Sequence, residues 1–218
     1  MCIRDSACIV KPETCHHHLG TCREPDWGLE HCMVPHIVYL ANSSGIKVGI
    51  TRASQVPVRW IDQGAAQALP VLRVGSRRIS GLVEVILAGS GADKTNWRTM
   101  LQGPAPRLDL AAEARALLER HRAGLDDLRI RFGEEGIVSL PEAGETTISY
   151  PVLAYPAKPA SLSLDKTPAF EGRLTGIKGQ YLIFGETVFN VRNHGSYHLR
   201  LHRLDDPAPE PGNTPRLL

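Results

Sequence analysis

Five cysteines fall within the first 32 residues, and four of them, Cys8, Cys15, Cys22 and Cys32, interleave with the run His16-His17-His18. Thiolate and imidazole are the donors that suit one tetrahedral zinc. Six residues separate Cys8 from Cys15 and Cys15 from Cys22, nine separate Cys22 from Cys32, and there is no CxxC knuckle. A disulfide framework spreads its cysteines over the fold it staples. Clustering beside histidines, with no export signal, points instead to a structural zinc in a reducing cytoplasm. The expected ligands are Cys8, Cys15, Cys22 and Cys32, with His18 the substitute and with Trp27 and Gly28 shaping the loop. The competing reading is a set of reduced cysteines beside a solvent-facing histidine run. A second chemical signal is Glu84, set in the apolar stretch Leu82-Val83-Glu84-Val85-Ile86-Leu87. An unpaired carboxylate is costly to bury, so Glu84 either faces solvent or serves a site.

The elements that must position these groups follow from pattern. Residues 1–6 read as a foreign leader and residues 7–34 as the zinc-binding segment. Residues 35–103 read as a compact α/β unit. A β-branched and aromatic strand over 36–41, a turn at Asn42-Ser43-Ser44-Gly45 and a strand over 46–51 form a hairpin. An amphipathic helix over 56–66, with Pro57 in its first turn, leads to a third strand over 69–74. Helices follow around residues 82–87 and 96–101. Pro104-Ala105-Pro106 opens a linker, 104–145, whose residues 110–128 have helical spacing. From 146 to 204 the pattern is all strand (148–155, 170–177, 180–184, 188–192 and 197–201), which predicts a small β-barrel or meander. The proline-rich 205–218 reads as a disordered tail. The fold class is α+β.

The run His36-Ile37-Val38-Tyr39-Leu40-Ala41-Asn42, then Ile46-Lys47-Val48-Gly49-Ile50-Thr51, resembles the GIY-YIG nuclease superfamily, in its phage-type branch with lysine in the second motif. Arg59, Glu84 and Ala92-Asp93-Lys94-Thr95-Asn96-Trp97 extend the match in order over residues 36–103. The flanking cysteine-rich and β-rich regions resemble an uncharacterised bacterial family built on that core. The resemblance implies metal-dependent phosphodiester hydrolysis in nucleic acid, DNA more than RNA. Glu84 would hold one Mg²⁺ or Mn²⁺, and Arg59 would donate to phosphate oxygens. Tyr39 would orient or deprotonate the attacking water, with Lys47 lowering its pKa. Gly49 would let a phosphate approach the backbone, and Thr51 would line the substrate path. Two departures stand out: Ile37 replaces the first glycine, and Ala88 stands where a histidine is often found. The alternative function is therefore a catalytically inactive, zinc-stabilised nucleic-acid-binding protein.

Composition is compatible with either. The 218 residues are 42% hydrophobic and 22% charged, with a net charge of +2, and carry no apolar run long enough to span a bilayer. A positive surface must come from local clustering. The end Arg192-Asn193-His194 through Tyr197, His198, Arg200 and Arg203 reads as a basic, aromatic strand face for single-stranded nucleic acid or as the solvated rim of a barrel. Its histidines are too far apart along a strand to share a metal. A structural protein that uses the β-region for a protein partner is the third possibility, and oligomeric state is not legible.

Overall fold

The computed structural model describes residues 7–88 and 96–202. Residues 1–6 with Cys2, residues 92–95 of the last motif, Arg203 and residues 205–218 lie outside them. The first sheet is built from β1 (His36–Asn42), β2 (Ile46–Arg52) and β3 (Gln67–Val74), with β1 central and antiparallel to both neighbours. Every β1 residue is buried, as a central strand covered on both faces requires. On one face, Val38, Leu40, Leu72 and Val74 pack against three helices: α4 (Arg77–Ala88), α6 (Leu110–Arg120) and α7 (Arg122–Phe132). On the other, Ile37, Tyr39 and Ala41 pack against Trp60 of the short helix α3 (Val58–Asp62).

Several elements differ from the sequence expectation. Helix α3 spans Val58–Asp62 rather than 56–66, because Gly64 takes φ +69° and turns the chain back. Ala66 then donates its N–H to Asn42 O, already in the register of β3. The expected 110–128 helix is two helices broken at His121. Both the linker and the start of the expected β-rich region join the first sheet: β4 (Ile137–Ser139) and β5 (Thr146–Thr147) pair with β3. Its lead-in is stitched down by a buried amide pair. Asn42 donates to Gln67 Oε1 (3.0 Å) and Pro106 O (2.7 Å), and Gln67 donates to Leu108 O (2.9 Å) and Glu145 (3.0 Å).

The C-terminal region forms a second, open sheet. Strands β7 (Gly176–Lys178), β8 (Tyr181–Phe184) and β9 (Thr187–Asn190) make an antiparallel meander, with β6 (Ala160–Leu162) parallel to β9. Among the described residues the sheet closes into no barrel, and residues 148–155, 170–175 and 197–201 form no strand beyond a bridge at Val152. Lys178 ties this sheet to the rest. Its buried Nζ donates to Met100 O (2.8 Å) and Gly103 O (3.0 Å), at the end of α5 (Trp97–Leu101). The rings of Tyr155 and Tyr150 lie 5.3 and 5.8 Å away. Carbonyls at a helix C-terminus and aromatic faces are the partners a buried ammonium needs when no carboxylate is present. Among the described residues no helix is long and apolar enough to cross a membrane.

Candidate functional site

The hairpin register sets Tyr39 opposite Gly49, Ala41 opposite Lys47 and Ile37 opposite Thr51. A Cβ on Gly49 would stand 2.6 Å from Tyr39 Cζ and 2.7 Å from its Oη. The Cβ side of the glycine is therefore occupied by the tyrosine ring, which makes Gly49 a socket for Tyr39. Tyr39 is fully buried, edge-on to Trp60 at 5.8 Å. A buried hydroxyl must find a partner, and Gln63 supplies one at 2.8 Å. With the Gln63 amide oriented to satisfy both ends, its nitrogen donates to Tyr39 Oη and its oxygen accepts from Arg59 Nε and Nη2, each at 3.2 Å. Arg59 thus turns towards Gln63, a full helical turn along, and is held in place from behind by a phenol. Burial pushes the Tyr39 pKa up to about 12, with Arg59's charge and the hydrogen bonds of Arg59 and Gln63 pulling the other way and Glu84's charge adding to the rise. The phenol remains protonated at neutral pH, opposite to the shift a base requires.

Lys47, Gly49, Thr51, Arg59 and Glu84 line one cavity of about 940 Å³, while Tyr39 lies behind its wall. Glu84 is half-buried on α4. That helix is fixed by the N-terminal segment: a Cβ on Gly81 would stand 2.7 Å from Pro12 Cβ, so the Pro12–Thr14 turn sits directly on the helix. Arg77, in the first turn of α4, donates to Cys8 O (3.3 Å) and Ile9 O (2.8 Å).

Sequence reasoning missed most of the remaining wall. Gln180, Tyr181 and Arg192 come from the second sheet, whose β7–β8 turn is pressed on the end of α3: a Cβ at Gly179 would lie 2.9 Å from Asp62 O and from Gly64 N. His36, Arg52 and Arg77 form another part, and Trp27 with His31 another. The cavity lining has five basic side chains (Lys47, Arg52, Arg59, Arg77 and Arg192) against two carboxylates, Asp62 and Glu84. Such an excess in a partly desolvated hollow attracts anions. Three lining residues also carry a buried polar atom with no protein partner: His36 Nε2, Thr51 Oγ1 and Gln180 Oε1. His36 Nδ1 lies 2.7 Å from Val34 O, which makes it the donor and leaves Nε2 an acceptor. Among the described residues, the basic stretch from Arg192 to His202 forms no strand. His194 is buried, with Nδ1 2.9 Å from Asn190 O and its ring stacked on Phe189 at 4.6 Å.

The four cysteines are free thiols, Cys15 and Cys32 buried, Cys8 and Cys22 partly so. Burial raises the pKa of Cys8, and the charges of Cys15 and Cys22 raise it further. Burial likewise raises Cys32, opposed by Arg77, with the other three cysteines adding to the rise. Cys8 and Cys32 thus lie within electrostatic reach of the other cysteines. Among the described residues, however, no group of three or more His, Cys, Asp or Glu is arranged to hold a metal ion. His18 is exposed, its pKa lowered by desolvation and by Arg78 and Arg131. His17 and Cys22 both pack around Gly28, where a Cβ would lie 3.3 Å from His17 Nε2 and 3.6 Å from Cys22 Sγ. Gly28 therefore shapes the cysteine loop as expected, whereas Trp27 lines the cavity.

A family model described as a protein of unknown function (DUF2797) matches residues 2–199. No curated protein and no solved structure matches the chain.

Burial lowers the His36 pKa from 6.5 to about 4, against the hydrogen bond to Val34 that raises it and with Arg77 and Arg52 lowering it further. The unfolded chain then binds a proton that the folded chain refuses. Stability is expected to fall as pH drops from 6.5 towards 4, by roughly 3 kcal/mol in total. Urea denaturation of wild type and His36→Gln across that range checks this; the variant should show the shallower loss.

Proposed function

We propose that this chain, which belongs to the DUF2797 family, is a GIY-YIG-like endonuclease that hydrolyses nucleic-acid phosphodiesters with a divalent metal, DNA more readily than RNA. The observation that carries the reading is convergence. Lys47, Arg59 and Glu84, drawn from a strand and two separate helices, line the same basic cavity, with Tyr39 anchoring Arg59 through Gln63. Glu84 is the carboxylate suited to hold Mg²⁺ or Mn²⁺, hard cations that take one carboxylate together with waters and phosphate oxygens. When bound, such a metal supplies Lewis acidity at the scissile phosphate and its leaving oxygen.

The chain's own residues do the rest. Arg59 donates its planar fork to the non-bridging phosphate oxygens, and the bond from Gln63 keeps the guanidinium from swinging away. Lys47 adds a point charge from the edge strand. Tyr39 stays protonated and acts as a positioning residue through Gln63. One observation favours the alternative of a nucleic-acid-binding protein that does not cleave: with its phenol pushed up to about 12, Tyr39 provides no phenolate at neutral pH.

The cysteine-rich segment is proposed to hold a structural zinc through Cys8, Cys15, Cys22 and Cys32, with His18 the substitute read from the sequence and His17 packed with Cys22 around Gly28. Cys8 and Cys32, whose thiols are pushed up by burial and then by the neighbouring cysteines, belong to a donor set whose repulsion a divalent cation relieves. The segment bears on the site because Pro12 and the Cys8 and Ile9 carbonyls brace α4, the helix that carries Glu84.

Two outcomes are expected. Labelled DNA and RNA should be cut with Mg²⁺ or Mn²⁺, and Glu84→Gln should reduce the rate by about 10²–10³-fold while leaving binding intact. A folded wild type that binds but never cuts would support the non-cleaving alternative. Elemental analysis should find one zinc per chain, lost with Cys15→Ser/Cys32→Ser together with a fall in thermal midpoint; a metal-free wild type of equal stability would count against the zinc site.

A further inference from the structure

Trp27 and His31 have no part in phosphodiester chemistry, yet both line the cavity. They lie one turn apart on α2 (Pro25–His31), so they share a helix face. Their rings are stacked at 4.3 Å between centroids and 5° between planes, and His31 Nδ1 lies 3.1 Å from Trp27 O. Both are half-buried. The helix beneath is seated by Gly28, where a Cβ would stand 2.8 Å from the His17 ring. Stacked face to face, each ring covers one face of the other, so the pair offers a base an outer aromatic face, a shelf whose orientation is fixed before any ligand arrives.

Its surroundings say what it would hold. The chain runs from the shelf directly into His36, which pairs with Arg52 across the hairpin, while Arg77 donates its N–H to Cys32 O (2.8 Å), next after His31. Arg59 and Glu84, by contrast, act on Tyr39. The cavity therefore has two functional ends: a carboxylate and guanidinium around Tyr39, and an aromatic shelf with two arginines around His36. His36 Nε2 and Gln180 Oε1 are buried acceptors with no protein partner, on residues lining the same cavity. Exocyclic amino groups and ribose hydroxyls are donors that such acceptors take. A ligand with an aromatic face, edge donors and phosphates on either side is a nucleotide within a strand. In a duplex, both faces of each base are already covered by neighbouring pairs, so only an unpaired base can lie on the shelf.

We infer that the cavity selects single-stranded nucleic acid, one unpaired base stacking on the Trp27–His31 shelf while its flanking phosphates meet Arg52 and Arg77. The inference rests on the reading of the cavity as a nucleic-acid site, but not on cleavage.

Fluorescence anisotropy of the full chain, without added Mg²⁺ or Mn²⁺, tests it on short labelled DNA and RNA strands. The probes are the single strand, the same strand in a duplex, and the single strand with abasic positions. The single strand should bind at least about tenfold tighter than the duplex, and removal of the stacked base should weaken binding by roughly five- to a hundredfold. Trp27→Leu should lose a similar factor while Trp27→Phe keeps most of the affinity. The abasic strand makes the same test on wild type should Trp27→Leu fail to fold. Equal affinity for strand and duplex, or for intact and abasic strands, overturns the inference even if Glu84-dependent cleavage is found. Base-dependent binding with no cleavage would sustain it and remove only the nuclease reading. No binding of any form would remove both.

Discussion

The site depends on the burial of one phenol. Gly49 leaves a socket on β2, the Tyr39 ring fills it, and the hydroxyl is then enclosed where an unmet hydrogen bond would cost about 1–3 kcal/mol. Gln63 meets that need with one end of its amide and grips Arg59 with the other. A packing requirement at the centre of the sheet is thus converted into the fixed position of a guanidinium at the cavity wall. Helix α3 is held to five residues by the left-handed Gly64, which places Gln63 on its last turn over the tyrosine.

Around this point, regions distant in sequence are braced by close backbone approaches. Gly81 lets the Pro12 turn lie on α4, and Arg77 ties the Cys8–Ile9 carbonyls to the start of the same helix. Gly179 lets the second sheet press on the end of α3, while the buried Lys178 locks that sheet to α5. Each contact leaves little space for adjustment, so a disturbance in the cysteine-rich segment or in the second sheet is felt at Glu84 or Arg59.

The legible part of the sequence was the part with local periodicity. The hairpin, β3 and the helix bearing Glu84 read correctly because alternation and helical spacing are properties of neighbours. Extended stretches such as 148–155 also alternate, but alternation does not reveal whether a partner strand is present, and those residues pair with little. The three-residue β4 and two-residue β5 are too short to carry a pattern; they are strands only because β3 offers an edge. Gly49 was recognised as special, but its occupant, a ring ten residues earlier, follows only from the register. Nothing local distinguished His17 from His18. Nor did it announce that Trp27, Gln180 and Arg192 would meet the hairpin across one cavity, since that depends on packing between the two sheets and the N-terminal segment.

The central claim, that Tyr39 serves the site by holding Arg59, is tested most directly by a double-mutant cycle. Binding of a labelled single strand is compared for wild type, Tyr39→Phe, Arg59→Ala and the double variant. If Tyr39 acts through Arg59, its substitution weakens binding in wild type and adds nothing once Arg59 is gone, leaving a coupling as large as the Tyr39→Phe effect itself. Losses that simply add would show the two residues to be independent and would contradict the account.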